Sequence, residues 1–351
     1  MIILGIESSC DETALALVED GRKVIFSQVS SSVEKQAIYG GVVPEIAARE
    51  HLSALVPLIH EMMEESRLNF SDIDAIAVTR GPGLIGSLLV GVSFAKSLSL
   101  MLGTPLIPVD HVHAHLHGAL LGLKGNQNKN LFPCIGLVVS GGHTNLYYMQ
   151  NEVSFEMMAS TIDDACGECF DKVGKTLGLP YPGGPNIERI ARDGEASRFA
   201  MPMMVQEKSR LEFSYSGLKT HVLNTYRKAL AEIDGVKDHE SQHDQIKRDI
   251  AASYQEEALG QIARKIKSAL KVKSDVGSVI IAGGVAANKR FFKILKDNIN
   301  KDILFPQHRY CADNAAMVAA YGYYLYTSEK DKEVFGEVDW DPYSRYSENI
   351  K

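Results

Sequence analysis

The chain repeats itself, and that repetition constrains its fold more than any other feature. An apolar run at residues 2–6 is followed by the polar turn Glu7-Ser8-Ser9-Cys10-Asp11-Glu12-Thr13, a second run at 14–18, a turn at Asp20-Gly21 and a third run at 23–29. The same order returns at 134–139, with the turn Ser140-Gly141-Gly142-His143-Thr144, a run at 145–149 and another at 153–159. Short runs of this kind, bounded by polar and glycine turns, read as strands. Residues 73–79, the turn Arg80-Gly81-Pro82-Gly83 and a helical stretch match 278–282, the turn Gly283-Gly284-Val285-Ala286-Ala287-Asn288 and a second helical stretch. Residues 106–117 match 303–319, where Leu304-Phe305-Pro306 leads through Cys311-Ala312-Asp313-Asn314 into a last helix. Each half therefore reads as a β-meander followed by βα units, an α/β pattern. The expected division is a first half over residues 1–130, a second half with a helical insertion over 131–328, and a polar tail over 329–351.

Between the shared parts lie insertions. Residues 44–66 place Ile46, Leu52, Leu55, Val56, Leu58, Ile59 and Met62 among charges, the stripe of an amphipathic helix. Residues 161–179 read as a helix that stops at Pro180-Tyr181-Pro182-Gly183-Gly184-Pro185, a rigid loop with no room for helix. Residues 213–220 read as an irregular loop, 229–273 as charged amphipathic helix, and the tail with Trp340 as peripheral.

The densest chemistry is in Val109-Asp110-His111-Val112-His113-Ala114-His115-Leu116-His117, where four of the chain's 11 histidines fall within seven residues. The preceding residues 105–109 read as a short strand, and Asp110 caps a helix that begins at His111. Residues four apart share a helix face, so His111 and His115 can grip one ion. His113 and His117 can do the same from a face about 160° away. Spacing does not choose between the pairs. A metal site needs at least one further ligand, and the repeat points to Asp313, which opens its helix where His111 opens the matching one. Two halves facing each other would bring these helix starts towards a common cleft. A hard oxygen donor beside two imidazoles suits iron, zinc or manganese. The competing role for Asp313 is that of an N-cap.

Two glycine turns read as the lining of a nucleotide site. In Ser140-Gly141-Gly142, which follows Val138 and Val139, the missing Cβ atoms let backbone N–H groups approach an anion. Gly283-Gly284 lies between a strand and a helix whose N-terminus favours a phosphate, and Asn288 is placed to hydrogen-bond a ligand. Asp171 and Glu188 flank the proline-rich loop and are suited to the two hydroxyls of a ribose. Neither a GxGxxG after the first strand nor a GK[ST] phosphate loop is present.

Composition bounds the rest. With 351 residues, 45% hydrophobic and 23% charged, the chain reads as a soluble globular protein of two domains. The N-terminus lacks a basic segment, and no run approaches the roughly 18 apolar residues of a membrane span, so no membrane partner is expected. Five scattered cysteines suggest free thiols in the cytoplasm, and the single CxxC, Cys166-Gly167-Glu168-Cys169, lacks a second pair to complete a zinc site. A net charge of −7 argues against a general nucleic-acid coat, although a local basic patch is compatible with it.

Nine ordered segments carry a resemblance: residues 5–13 (Gly-Ile-Glu-Ser-Ser-Cys-Asp-Glu-Thr), 39–45, 111–115 (His-Val-His-Ala-His), 140–144, 170–172, 181–185, 216–220, 283–288 and 311–316. Together, over about residues 2–325, they closely resemble the bacterial tRNA N6-adenosine threonylcarbamoyltransferase family. The resemblance implies an actin-like/sugar-kinase fold, two duplicated ribonuclease-H-like halves around a central cleft. It implies that His111, His115 and Asp313 hold one divalent ion, Fe2+ or Zn2+. It places nucleotide binding on Val138, Val139, Ser140, Gly141, Gly142, Asp171, Gly184, Glu188 and Asn288. Cys169 departs from the small residue expected there, which makes the CxxC a local accident.

The implied reaction moves a threonylcarbamoyl group from threonylcarbamoyl-adenylate to the exocyclic amine of the adenosine 3′ to the anticodon in ANN-decoding tRNAs, releasing AMP. Asp11 or Glu12 is the expected group to manage the amine proton. Implied partners are a paralogous pseudo-enzyme and a small ATPase. Two other classes remain open on the residues: a metal-dependent peptidase, and a non-catalytic nucleotide-binding protein of the actin-like class. Against the peptidase, the HExxH motif places a glutamate directly after its first histidine, and here that position is Val112.

Overall fold

A computed structural model describes residues 1–123, 131–205, 211–233, 239–328 and 340–344. The first repeat contains β1 (Ile2–Glu7), β2 (Glu12–Glu19), β3 (Lys23–Ser31), α1 (Val33–Ala37), α2 (Pro44–Ser66), β4 (Ala75–Gly81), α3 (Ile85–Leu102), β5 (Leu106–Asp110) and α4 (His111–Gly118). The second contains β6 (Cys134–Val139), β7 (Thr144–Met149), β8 (Phe155–Ser160), α5 (Cys166–Thr176), α6 (Gly183–Ala191), α7 (Ser216–Glu232), α8 (His239–Val272), β9 (Ser278–Ala282), α9 (Lys289–Asn298), β10 (Asp302–Leu304) and α10 (Ala315–Ser328).

The two sheets repeat one topology. The first runs β3-β2-β1-β4-β5, and the second, read from its far end, runs β8-β7-β6-β9-β10. In each, the opening strand is antiparallel to its hairpin partner and parallel to the strand beyond, as in Ile3 opposite Val18 and Ala75, or Cys134 opposite Met149 and Ser278. Strands buried on both faces lose the polar alternation of half-exposed ones, which is why β1 and β6 read as continuous apolar runs.

The compact units differ from the expected contiguous halves. One comprises Met1–Leu131, Gln150–Ser154 and the described part of Phe305–Lys351; the other comprises Phe132–Met149 and Phe155–Leu304. Helix α10 belongs to the first unit because it fills the face of β1 opposite α2 and α3. Leu4 and Ile6 point into a core with Leu55 and Met62 of α2 and Val92 of α3. Gly5 points the other way, where a Cβ would lie 2.2 Å from Ala315 O and 2.9 Å from Ala319 Cβ. The alternation of the strand thus sends one face to each helical layer.

Several expected elements change. Residues 161–165 are not helical, because Thr161 bridges to Phe213 and the Asp163 carboxylate accepts from Ser214 Oγ and Tyr215 N at 2.6 and 2.8 Å. The proline-rich loop does yield to helix: α6 starts at Gly183, and Pro185 sits in its first turn, where a missing N–H is tolerated. The odd loop at 213–220 likewise ends in α7, which begins at Ser216. Contrary to expectation, α3 is long and apolar enough to cross a membrane, with 18 residues of mean hydropathy 1.7. In this fold it is the crossover between parallel β4 and β5, with Leu88, Val92, Ala95 and Leu98 buried.

Candidate functional site

The carboxyl ends of β1, β4 and β5 lie side by side in the first unit and carry a buried polar cluster. Asp110 ends β5 and caps α4 as its sequence suggests, its Oδ1 accepting from His113 N at 2.9 Å. Helix geometry then puts His111 and His115 on one face, their rings edge-on with centroids 4.8 Å apart. Asp313 Oδ1 lies 3.2 Å from His115 Nε2 and 3.7 Å from His111 Nε2. One ligand atom from each of the three residues falls within 4.8 Å of the others, an arrangement that could hold a metal ion.

Two observations test that fit. Both ring nitrogens of His115 are buried with no hydrogen-bond partner, despite the short Asp313 distance, so this buried imidazole lacks the satisfaction a purely structural one requires. The outer nitrogen of His111 is held from behind: its Nδ1 lies 3.2 Å from Glu7 Oε2 and 3.1 Å from Ser9 Oγ. Glu7 is fully buried at the end of β1 and accepts from Ser9 N at 2.6 Å and Thr79 Oγ1 at 2.5 Å. A carboxylate behind a ligating imidazole fixes the tautomer that leaves Nε2 free for a metal. Without an ion, burial opposes the charged imidazole, but Glu7 and Asp313 outweigh it and raise His111 to about 9. Burial likewise pushes Glu7 up, and the opposing charge of His111 brings it net below its ordinary value.

The second histidine pair is structural. His117 stacks on Tyr321 with centroids 4.4 Å apart, and its two nitrogens lie 3.0 Å from His113 O and 2.9 Å from Glu152 O. Burial keeps it neutral, lowering it to about 4. Asp313 is not the cap of α10. That part is played by Asn314, whose Oδ1 accepts from Met317 N at 3.0 Å. Nor do two facing halves bring Asp313 to the histidines; α10 docks on the sheet of the first unit itself.

In the turn after β1, burial raises both Asp11 and Glu12, the latter to about 7. Glu12 Oε1 accepts from Ser31 Oγ at 2.8 Å, while Oε2 is buried without a partner. The tail is not peripheral where it is described. Trp340 packs on the core of the first unit, Lys96 Nζ donates to its carbonyl at 2.6 Å, and Arg80 Nε donates to Asp341 O at 2.8 Å. The Tyr343 hydroxyl donates to Asp110 Oδ2 at 2.8 Å, bracing the cap of the histidine helix.

The second unit has its own polar surface at the carboxyl ends of parallel β6 and β9. Val138 and Val139 are buried strand residues, and Ser140 turns the chain, its N donating to His143 O at 2.8 Å. A Cβ on Gly141, Gly142 or Gly284 would meet nothing within 4 Å, so these turns face open space. Gly283 differs: its φ is +93° and a Cβ would lie 2.3 Å from Val139 O, so only glycine fits between the two strand ends. Asp171 Oδ1 accepts from Gly183 N at 2.7 Å, tying α5 to α6 beside Gly184. Glu188 accepts from Lys289 N at 3.2 Å, at the start of α9. Asn288 is buried and engaged within the protein, its Oδ1 capping α9 through Phe291 N at 3.0 Å and its Nδ2 bonded to Gln255 at 2.9 Å. Cys166 and Cys169 are buried free thiols raised by burial, Cys169 to about 11, which leaves them unreactive.

Comparison with known proteins agrees with this arrangement. Residues 23–320 match the family model for tRNA N6-adenosine threonylcarbamoyltransferase. A relative from Protochlamydia amoebophila that bears this name is 40% identical over 98% of both chains, and one from Carboxydothermus hydrogenoformans is 46% identical over 94% of this chain and 93% of its own. The activator of the 2-hydroxyisocaproyl-CoA dehydratase from Clostridium difficile, solved with ADPNP bound, is only 14% identical but superposes over 93% of this chain and 96% of its own with a TM-score of 0.51. The fold is therefore the actin-like/sugar-kinase fold, and the chain belongs to the tRNA N6-adenosine threonylcarbamoyltransferase family.

Proposed function

We propose that this chain transfers the threonylcarbamoyl group of threonylcarbamoyl-adenylate to N6 of the adenosine 3′ to the anticodon in ANN-decoding tRNAs. The amine attacks the carbamoyl carbon, a C–N bond forms, and the bond from that carbon to the phosphate oxygen breaks. AMP leaves with the electron pair, and the amine gives up one proton. The observation that carries the reading is the convergence of His111, His115 and Asp313 on one point behind which Glu7 is buried, in a chain of this family.

Those three residues would hold one divalent ion, Fe2+ or Zn2+, which as a Lewis acid supplies polarisation of the threonylcarbamoyl group. The chain's own residues do the rest. Glu12, raised to about 7, accepts the amine proton; a base poised at the working pH combines availability with driving force. It is preferred to Asp11 for that reason. The glycine turns at Gly141, Gly142 and Gly284, which face open space, receive the adenylate phosphate through their amides, and Glu188 and Asp171 receive its ribose. A paralogous pseudo-enzyme and a small ATPase complete the assembly, which works in the cytoplasm.

The test is mass spectrometry of tRNA nucleosides after incubation with threonine, bicarbonate, ATP and the partner proteins. Threonylcarbamoyladenosine formed by the wild type and lost in His111→Ala supports the reading. Nucleotide binding with unmodified tRNA points to the non-catalytic class. Peptide cleavage abolished by His111→Ala points to a peptidase.

A further inference from the structure

Away from the histidine cluster, the first unit carries a recess of about 360 Å3 that the reaction above leaves without a role. Its lining includes Arg22, Lys23, Gln307, Arg309 and Tyr310 and, among the described residues, no carboxylate. Three cations on one recess is an unusual concentration for a chain of net charge −7.

The two arginines are anchored by the fold rather than neutralised. Arg22 is anchored through its Nε, which donates to the Tyr324 hydroxyl at 3.0 Å, and its carbonyl accepts from Gly122 N at 2.9 Å. Arg309 lies over the buried ring of Tyr310, its guanidinium carbon 4.6 Å from the centroid. Among the described residues no ion pair is made by either arginine, whereas exposed Lys23 pairs with half-buried Glu19 at 2.7 Å. Gln307 adds a neutral amide donor. Guanidinium groups present forked donors that match the oxygens of a phosphate, and an arginine stacked on an aromatic ring is preorganised for it.

We propose that this recess is a phosphate site that takes a backbone phosphodiester of the tRNA, away from the reacting nucleotide. The inference rests on the tRNA reading above. Affinity for a polyanion comes from local cations through counterion release, so an acidic chain needs such a patch. Its position also matters: Arg309 and Tyr310 lie in the turn just before Asp313, so a phosphate held there bears on the segment that supplies the third metal ligand.

The test is binding of a transcribed tRNA to the full-length chain as a function of salt, for the wild type, Lys23→Gln, Arg309→Gln, the double variant and Arg309→Lys. The two neutral substitutions together should weaken binding about 3- to 10-fold near 0.1 M salt and lower the slope of log K against log salt by about 0.7 to 0.9, the share of one phosphate, and each single substitution should produce part of that loss. Arg309→Lys should restore most of the slope. Inorganic phosphate and AMP, at matched ionic strength, should compete no better than chloride. An unchanged slope in the double variant overturns the proposal, as does a wild type that binds no tRNA at low salt. Loss of inorganic phosphate binding with tRNA binding intact assigns the recess to a free anion and overturns the tRNA source. Threonylcarbamoyl transfer at saturating tRNA is measured in parallel. Its absence in the wild type, with the salt slopes as expected, counts against the enzymatic reading alone.

Discussion

Glu7→Gln is the most informative single substitution, because it changes charge and tautomer without changing shape. The amide oxygen can keep the bond from Ser9 N, and the Thr79 hydroxyl can turn to accept from the new NH2 group. That NH2 group then also faces His111 Nδ1, which must accept instead of donate and so moves its proton to Nε2, the atom aimed at Asp313. Ser9 Oγ, 3.1 Å from the same nitrogen, offers a partial substitute and bounds the damage. Loss of such a supporting carboxylate weakens metal binding about 10- to 100-fold, roughly 1.4 to 2.7 kcal/mol. A second effect runs the other way. In the metal-free wild type His111 is raised to about 9, so below that pH a proton competes with the metal. Glu7→Gln lowers this pKa and relieves the competition, by up to about 100-fold at pH 7 if His111 returns to its ordinary range. The ratio of wild-type to variant affinity should therefore lie between about 0.1 and 1 at pH 7 and climb to between about 5 and 50 at pH 9, where half of the wild-type His111 still carries the competing proton. Chelator-competition titrations at both values, on protein whose fold is checked by circular dichroism, measure it. Equal affinities at pH 9, or a ratio independent of pH, would refute the supporting role of Glu7.

Four further expectations follow from the same geometry. His111→Ala and His115→Ala should each lose metal by elemental analysis, whereas His113→Ala keeps it and His117→Ala keeps it but melts earlier, having lost its Tyr321 stacking and two hydrogen bonds; equal metal loss in all four would sink the assignment. Asn314→Ala should cost about 1 kcal/mol of metal-free stability as a lost cap, while Asp313→Asn leaves that stability nearly unchanged and weakens metal binding; chemical denaturation and metal titration of both variants would expose the reverse pattern. Glu12 is raised to about 7, so its contribution to stability is complete below the ordinary value of 4.5 and is lost as pH rises through 7; Glu12→Gln should abolish that decline together with the limb of the pH–rate profile near 7, and a limb that survives places the base elsewhere. Tyr343→Phe removes the brace on Asp110, worth about 1 kcal/mol, and should speed hydrogen exchange at the His113 amide; unchanged exchange means that the tail does not hold the cap.

What could be read from the sequence was local or periodic. The repeated strands, their glycine turns and the Asp110 cap depend on patterns within a few residues, and the duplication makes each half a check on the other. The choice between the two histidine pairs was not of that kind. It depends on what faces each side of α4: Glu7 and Asp313 on one, the Tyr321 ring and the Glu152 carbonyl on the other. Those partners lie 35 to 204 positions away, counting from His117 to Glu152 and from His117 to Tyr321, and no spacing rule reaches them. In the sequence Glu7 is simply the first residue of a polar turn, although a charge directly ending a fully apolar strand is a weak sign of a buried acid. Asp313 and Asn314 are adjacent and both cap well, so only the bond to Met317 N separates their roles. Residues 161–165 carry a plausible helical pattern, but the Asp163 carboxylate finds stronger tertiary partners in Ser214 and Tyr215.

The placement of α10 ties these strands together. In a tandem of two independent halves, the last helix would cover its own sheet and Asp313 would travel with the second unit. Here Gly5 lets α10 approach β1 until Ala315 and Ala319 touch the strand backbone, and Tyr321 of the same helix stacks on His117. The first unit is thus closed by the C-terminal part of the chain, and the third metal ligand arrives with that closure. The site is consequently a reporter of complete folding: β1 supplies Glu7, α4 supplies both histidines, and neither can gain Asp313 until α10 has docked. A Gly5→Val substitution should for this reason abolish metal binding without touching a ligand, since its side chain occupies the volume of the Ala315 carbonyl. Far-ultraviolet circular dichroism and elemental analysis of that variant decide the matter. Retained secondary structure with full metal content would mean that α10 docking and metal binding are independent.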